Sequence, residues 1–274
     1  MPSVGFGIWQ IPRPQTADCV YEAIKAGYRC IDSAPIYLNE IEAGQGIKRA
    51  IDEGIVKRED LFITTKLWNA FHRPQHVRQA CQKSLTDLGL DYVDLFLIHF
   101  PCAIKYIPIE ERYPMEWGYN QGLGEDRDQM VVDETVTYEQ TYHAIEKLQE
   151  EGLTRNIGVS NLNSMFIHQV LKFSKIKPAV LQNELHPYLA QQNVLRLCAE
   201  NGIQVTAYSS LGGSAWVGKD MASEEELLWN QQCVKDIAAR HQKTCAQVLY
   251  RWALQRGTQI IPKSTRVERI QENI

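Results

Sequence analysis

The sequence predicts a closed (β/α)8 barrel, and three observations predict it. Eight short runs rich in Val, Ile, Leu and Phe recur along the 274 residues, most of them followed by a longer segment of helical period. The connectors are mostly short, which implies parallel strands joined by right-handed crossovers, and eight such units favour a closed barrel over an open doubly wound sheet. Several runs also end on ionisable or polar side chains, at the edge where barrels keep their chemistry.

In chain order, the predicted strands are residues 4–9, 29–32, 61–66, 93–99, 156–160, 179–182, 204–208 and 259–262. Each is a short apolar run bounded by turn or polar residues. The predicted helices are 15–26, 40–53, 73–88, 141–151, 163–173, 191–201, 230–241 and 244–255, with the start of another over 266–274. Residues 101–133 contain Pro108, Tyr113, Pro114, Trp117, Gly118, Tyr119 and Gly122 without helical period, too long for a plain connector, so a loop overhanging the strand ends is expected. Residues 209–224 carry Gly212, Gly213, Ser214 and Gly218, a second segment able to fold over a ligand. No linker divides the chain, so one domain over 1–274 is expected.

Composition narrows the function classes. A hydrophobic fraction of 44% with 23% charged residues is that of a chain with a full core. The formal net charge of −4, with Lys and Arg scattered, supplies no field for nucleic acid. No apolar run approaches the ~20 residues a membrane span needs, and Met1-Pro2-Ser3 leads directly into core-like sequence without a secretory pattern. Seven cysteines include no C-x-x-C pair and are read as reduced thiols of a cytoplasmic protein.

The chemistry begins at the second run. Asp32 ends it, Pro35 breaks it, and Tyr37 follows; Lys66 and His99 end the third and fourth runs. These are the groups needed to reduce a carbonyl. A free phenol titrates near ~10 and is a poor acid at neutral pH unless a cation stabilises the phenolate. Lys66 would supply that charge, Asp32 would orient the ammonium and offset its desolvation, and a neutral His99 would donate to the substrate oxygen. Tyr37 would then act as general acid. The structural alternative is an ion pair of Asp32 with Lys66, a rim phenol and a satisfied core histidine, because structural networks perturb titrating groups too.

A second set lies on later strands. Ser160, Asn161 and Gln182 could fix a carboxamide, and Tyr208 offers a flat ring to stack on a heterocycle. Lys263, Ser264, Arg266 and Arg269 gather where the eighth barrel loop meets a helix start, a setting that favours phosphate. Helix caps and a solvated basic face are the alternatives. A Rossmann fingerprint is absent: Gly5-Phe6-Gly7 lacks the third glycine, and Gly44-Gln45-Gly46 lies within a helical stretch. His72 and His76 are four apart, but Arg73 stands where a zinc-protease motif needs glutamate, so a solvated helix start is expected and no metal.

These residues carry a resemblance. Residues 27–40, Lys66-Leu67-Trp68-Asn69, residues 91–101, Ile157-Gly158-Val159-Ser160-Asn161 and Ile261-Pro262-Lys263-Ser264 resemble the signature segments of the aldo-keto reductase superfamily. Within it the chain is similar to aldose and xylose reductases, and over 174–180 to plant aldose-6-phosphate reductases. The resemblance implies reduction of an aldehyde or open-chain aldose with NADPH, NADH remaining open, by a tetrad of Tyr37 (proton donor), Asp32, Lys66 and His99. It implies Ser160, Asn161 and Gln182 on the nicotinamide carboxamide, Tyr208 on its ring, and Ser209 and Leu211 along the pyrophosphate. Lys263, Ser264, Thr265 and Arg269 would take the 2′-phosphate, Glu272 and Asn273 would face adenine, and Trp9 and Phe100 would wall the substrate pocket. Phe100 stands where animal aldose reductases have tryptophan.

The likeness also implies a hairpin before Met1 and a tail after Ile274, neither present in this sequence, and allows a monomer or a homodimer. Two alternatives stand beside the aldose reading: an aldose-6-phosphate reductase, with Lys105 in the long loop as a phosphate-attracting or merely solvated lysine, and a non-catalytic NADP-binding regulatory subunit.

Overall fold

Short runs buried on both faces build the sheet. The structure, a computed structural model, describes residues 1–114, 131–212, 217 and 223–274. Trp117, Gly118, Tyr119, Gly122, Gly213, Ser214 and Gly218 lie outside the described residues. Strands β1 (Phe6–Gly7), β2 (Cys30–Asp32), β3 (Phe62–Leu67), β4 (Leu95–Ile98), β5 (Ile157–Ser160), β6 (Val180–Glu184), β7 (Gln204–Tyr208) and β8 (Gln259–Ile260) lie side by side in chain order. All pair in parallel. A parallel bridge from Val4 to Ile260, with Gly5 N donating to Ile260 O at 2.8 Å and Gly7 N to Pro262 O at 3.0 Å, closes the sheet into the expected (β/α)8 barrel.

Period two decides which side chains reach the interior. Ile31, Ile63, Phe96, Ile98, Ile157, Val159, Leu181 and Val205 face outward into the large core shared with the helices, while Leu95, Leu97 and Val180 fill the barrel interior as a separate cluster. In that second phase lie Asp32, Lys66, Ser160, Gln182 and Tyr208, so one alternation packs the wall and lifts a polar layer to the C-terminal strand ends.

Helices α1 (Arg13–Ala26), α2 (Glu40–Asp52), α3 (Pro74–Leu88), α4 (Tyr138–Glu150), α5 (Ser164–Phe173), α6 (Gln192–Asn201), α7 (Gln232–His241), α8 (Cys245–Gln255) and α9 (Val267–Glu272) surround the barrel. Thr137 with Gln140 and Thr244 with Gln247 form capping boxes that start α4 and α8, and Asn163 accepts from Phe166 N at 3.0 Å to start α5. The Gly44-Gln45-Gly46 stretch is helical and serves packing: a Cβ on Gly44 would lie 2.5 Å from Leu88 O of α3, and one on Gly46 would strike Ala17 O of α1.

The long segment after β4 is gathered at its neck. Ile104 bridges Val132 in antiparallel fashion, Lys105 N donates to Val131 O at 2.9 Å, and Arg73 Nε donates to Asp133 Oδ2 at 2.6 Å. The Arg73 guanidinium pulls the Asp133 carboxyl down to about 2. Lys105 itself is exposed. Among the described residues, no helix is long and apolar enough to cross a membrane.

Candidate active site

Asp32, at the end of β2, and Lys66, one residue before the end of β3, enter the barrel mouth because both fall in the inward phase of neighbouring strands. Pro35 then starts a single 3-10 turn, Pro35–Tyr37, that ends on Leu38 at φ 63° and swings Tyr37 back over the strand ends. The Lys66 ammonium is fully enclosed. Its Nζ donates to Asp32 Oδ1 at 2.6 Å, to Ser33 O at 2.9 Å and to Tyr37 Oη at 3.0 Å, so all three of its protons are engaged. His99, one residue past β4, sets its ring edge-on to Tyr37 at 5.9 Å and to Trp68 at 5.5 Å, and stacks on Phe100 at 4.9 Å. The four groups read from the sequence therefore share one side of the barrel.

Electrostatics assign their proton states. Burial opposes the Lys66 charge, but Asp32 and Tyr37 outweigh it and hold the ammonium above the usual lysine range. Burial, reinforced by Lys66, drives His99 well below the usual histidine range and leaves a neutral imidazole. Its Nδ1 is buried without a hydrogen-bond partner among the described residues. The phenol corrects the sequence argument. Burial raises the Tyr37 pKa, Lys66 pulls it back, Asp32 raises it again, and the net direction is up. In this state Lys66 does not make Tyr37 more acidic than a free phenol; the group is a protonated donor whose conjugate base has a cation waiting 3.0 Å away.

The second set forms a continuous network beside the tetrad. Gln182 Nε2 donates to Asp32 Oδ2 at 2.7 Å, bracing the carboxylate from the far wall. Ser160 Oγ donates to Gln182 O at 2.7 Å, Asn161 Nδ2 to His99 O at 2.8 Å and to Ser160 Oγ at 3.1 Å, and Tyr208 Oη to Asn161 Oδ1 at 2.7 Å. Asn161 and Ser209 sit at φ 62° and 50°, the left-handed corners that end β5 and β7. Ser209 O accepts from Gly212 N at 2.8 Å, and Leu211 packs against the cluster around Leu228.

Beyond β8, Lys263, Thr265, Arg266 and Arg269 are exposed together, while buried Ser264 accepts from Arg266 N at 3.0 Å and fixes the turn. Glu272 O accepts from Gln247 Nε2 at 3.0 Å, and Asn273 N donates to Arg269 O at 3.1 Å. Trp9 stands exposed past β1.

His72 departs from expectation. It is buried, not solvated, with its pKa pushed down to about 3 by burial, because the 3-10 turn before α3 packs it inward. Its neighbour His76 stacks on Tyr106. Among the described residues, no three His, Cys, Asp or Glu side chains gather as a metal site. The sequence reading also missed Trp68, buried edge-on to His99, and Ser33, whose carbonyl holds Lys66. The continuation of β3 past Lys66 was the available signal for Trp68.

Comparison with known proteins bears on the same residues. Residues 3–274 match the Aldo/keto reductase family. The chain belongs to that family. It is 48% identical over 275 residues to the NAD(P)H-dependent D-xylose reductase of Candida tenuis, all of this chain aligning with 84% of that one. It is 44% identical over 277 residues to the NADPH-dependent aldose reductase of Saccharomyces cerevisiae, again all of this chain against 84%. The aldose reductase of Schistosoma japonicum has the same fold, with a TM-score of 0.86 at 39% identity, covering 100% of this chain and 82% of that one.

For an aldo/keto reductase, the mouth suits a nicotinamide nucleotide. Amide and hydroxyl groups at Ser160 and Asn161 border the tetrad, the partly buried Tyr208 ring lies next to them, and the exposed cations at Lys263, Arg266 and Arg269 suit phosphate.

Proposed function

We propose that the chain reduces an aldehyde or an open-chain aldose to the alcohol, with Tyr37 giving the proton to the carbonyl oxygen. The observation that carries this is the single ammonium of Lys66 bound to both Asp32 and Tyr37, with neutral His99 beside the phenol. NADPH is the reductant, with NADH as a second one, in keeping with the names of the relatives. When bound, the reduced nicotinamide supplies hydride to the carbonyl carbon.

The protein's own groups do the rest. His99 donates a hydrogen bond that orients the substrate oxygen toward Tyr37 Oη. Tyr37 releases its proton as negative charge develops on that oxygen, and the phenolate left behind is stabilised by Lys66 Nζ at 3.0 Å. Asp32, held by Gln182 on its other oxygen, keeps the ammonium charged and aimed. Ser160, Asn161 and Gln182 would take the carboxamide, Tyr208 would stack on the ring, and Ser209 and Leu211 would follow the pyrophosphate. Lys263, Ser264, Thr265 and Arg269 hold the 2′-phosphate, with Glu272 and Asn273 at the adenine and Trp9 and Phe100 along the substrate. The tetrad comes from one chain, so a monomer or a homodimer carries complete sites.

Cofactor oxidation followed by absorbance tests the reading, using xylose, glucose 6-phosphate and an aromatic aldehyde with each cofactor. Turnover of xylose in excess of glucose 6-phosphate is expected; a folded protein that binds NADPH and turns over none of the three defeats it. Tyr37→Phe is expected to lower kcat by about 10²–10⁴-fold while NADPH affinity stays within about twofold, since the change removes one oxygen and no charge. Wild-type turnover by the variant removes the phenol from its role.

A further inference from the structure

Glu40, the first residue of α2, is buried with both carboxylate oxygens engaged, and the mechanism above does not use it. Its Oε1 accepts from Thr65 Oγ1 at 2.6 Å and from Ser33 Oγ at 3.1 Å, and its Oε2 accepts from Ser84 Oγ of α3 at 2.8 Å. All three donors are hydroxyls; among the described residues it has no ion pair with a cation. A buried carboxylate held only by neutral donors is costly compared with an apolar side chain, so a role in packing alone leaves its chemistry unexplained.

Its partners suggest the role. Ser33 follows Asp32 and supplies the carbonyl bound by Lys66 Nζ; Thr65 precedes Lys66 on β3. Because strand side chains alternate, Glu40 grips from outside the two strand ends that present Asp32 and Lys66 inside. The Ser33–Glu40 bond also ties together the two ends of the 34–39 loop that carries Tyr37. We propose that Glu40 is a positioning residue that clasps this loop and fixes Lys66 Nζ, Ser33 O and Tyr37 Oη in register for proton transfer.

This inference rests on the reductase reading. Burial, opposed by the three hydroxyls, raises the Glu40 pKa to about 7, and Asp87 raises it slightly further; Tyr37, Cys81 and Tyr113 also face it.

Glu40→Gln keeps Oε1 for Thr65 and Ser33 and turns an amide N–H toward Ser84. Its kcat is expected to stay near wild type. Glu40→Ala opens the clasp, and kcat is expected to fall about 10- to 100-fold with NADPH affinity unchanged. Thr65→Val and Ser33→Ala, each deleting one hydroxyl, are expected to give intermediate losses and serve if Glu40→Ala does not fold. Crystal structures supply a readout independent of turnover: Lys66 Nζ and Tyr37 Oη are expected to separate beyond hydrogen-bonding distance in the clasp variants and not in Glu40→Gln. Wild-type kcat and geometry in Glu40→Ala, or in both single-hydroxyl variants, overturn the proposal. An inactive wild-type protein with these distances shifting as expected defeats the reductase reading alone.

Discussion

At the scale of single residues, Lys66 is where most constraints meet. Replacing it by Met keeps the volume and removes the charge, leaving Asp32 buried with Gln182 as its remaining side-chain donor. Breaking a buried pair this way costs about 3–5 kcal/mol, so Lys66→Met is expected to lower the chemical denaturation midpoint as well as abolish turnover. An unchanged midpoint contradicts a buried Lys66–Asp32 ion pair. Asp32, Lys66 and His99 were legible in the sequence because each stands at the end of an apolar run, and Tyr37 because it follows the break at Pro35 just before a helical pattern. Glu40 was not: a glutamate opening a helix is ordinarily a solvated first-turn residue, and only the approach of Ser33 from the loop after β2, Thr65 from β3 and Ser84 from α3 encloses it. The net direction of the Tyr37 pKa was hidden for a related reason, since burial is a property of the assembled mouth and not of neighbours in sequence.

Among elements, strand positions could be read from apolar runs because a barrel strand is buried on both faces, yet β1 and β8 are shorter than their runs. Val4 bridges Ile260 outside the regular ladder, and the apolar stretch continues past the paired residues as core lining. Helix α4 starts at Tyr138, earlier than the helical period suggested, because the Thr137–Gln140 capping box lies ahead of the first buried residue, Thr141. The contact of α2 with α3 offers a test. Gly44→Ala would gain up to ~1 kcal/mol of helix propensity, but the new methyl meets backbone at Leu88 O, which cannot rotate away. Overpacking of this kind costs about 1–3 kcal/mol, so a net loss is expected, lowering Tm by about 2–4 °C per kcal/mol. A raised Tm in a thermal melt contradicts the close approach of α2 and α3.

For the molecule as a whole, proton linkage sets the acid side of the stability curve. His72 and His99 have folded pKa values depressed by burial, so each contributes stability that is fully present above its unfolded value of 6.5 and is lost as pH falls toward its folded value, about 3 for His72. Glu40 acts the other way: its folded pKa, raised from 4.5 to about 7, favours the native state as pH falls through that window. Each proton is worth about 1.4 kcal/mol per pH unit. Two histidines against one glutamate leave a net loss of about that size per unit between pH 6.5 and 4.5. Denaturant melts across this range are expected to show stability falling with pH, and a flat profile argues against two neutral buried imidazoles. The closed barrel itself was legible because eight repeats of one local pattern leave little topological choice; the polar bracing across its mouth was not, since Gln182 reaches Asp32 over 150 residues of sequence. That bracing leaves the Lys66 amine chemically silent. With every N–H committed and no surface exposed, it presents neither a lone pair nor an approach path to acylating or alkylating reagents, so one lysine of the folded chain is shielded from electrophiles by the same contacts that keep it charged.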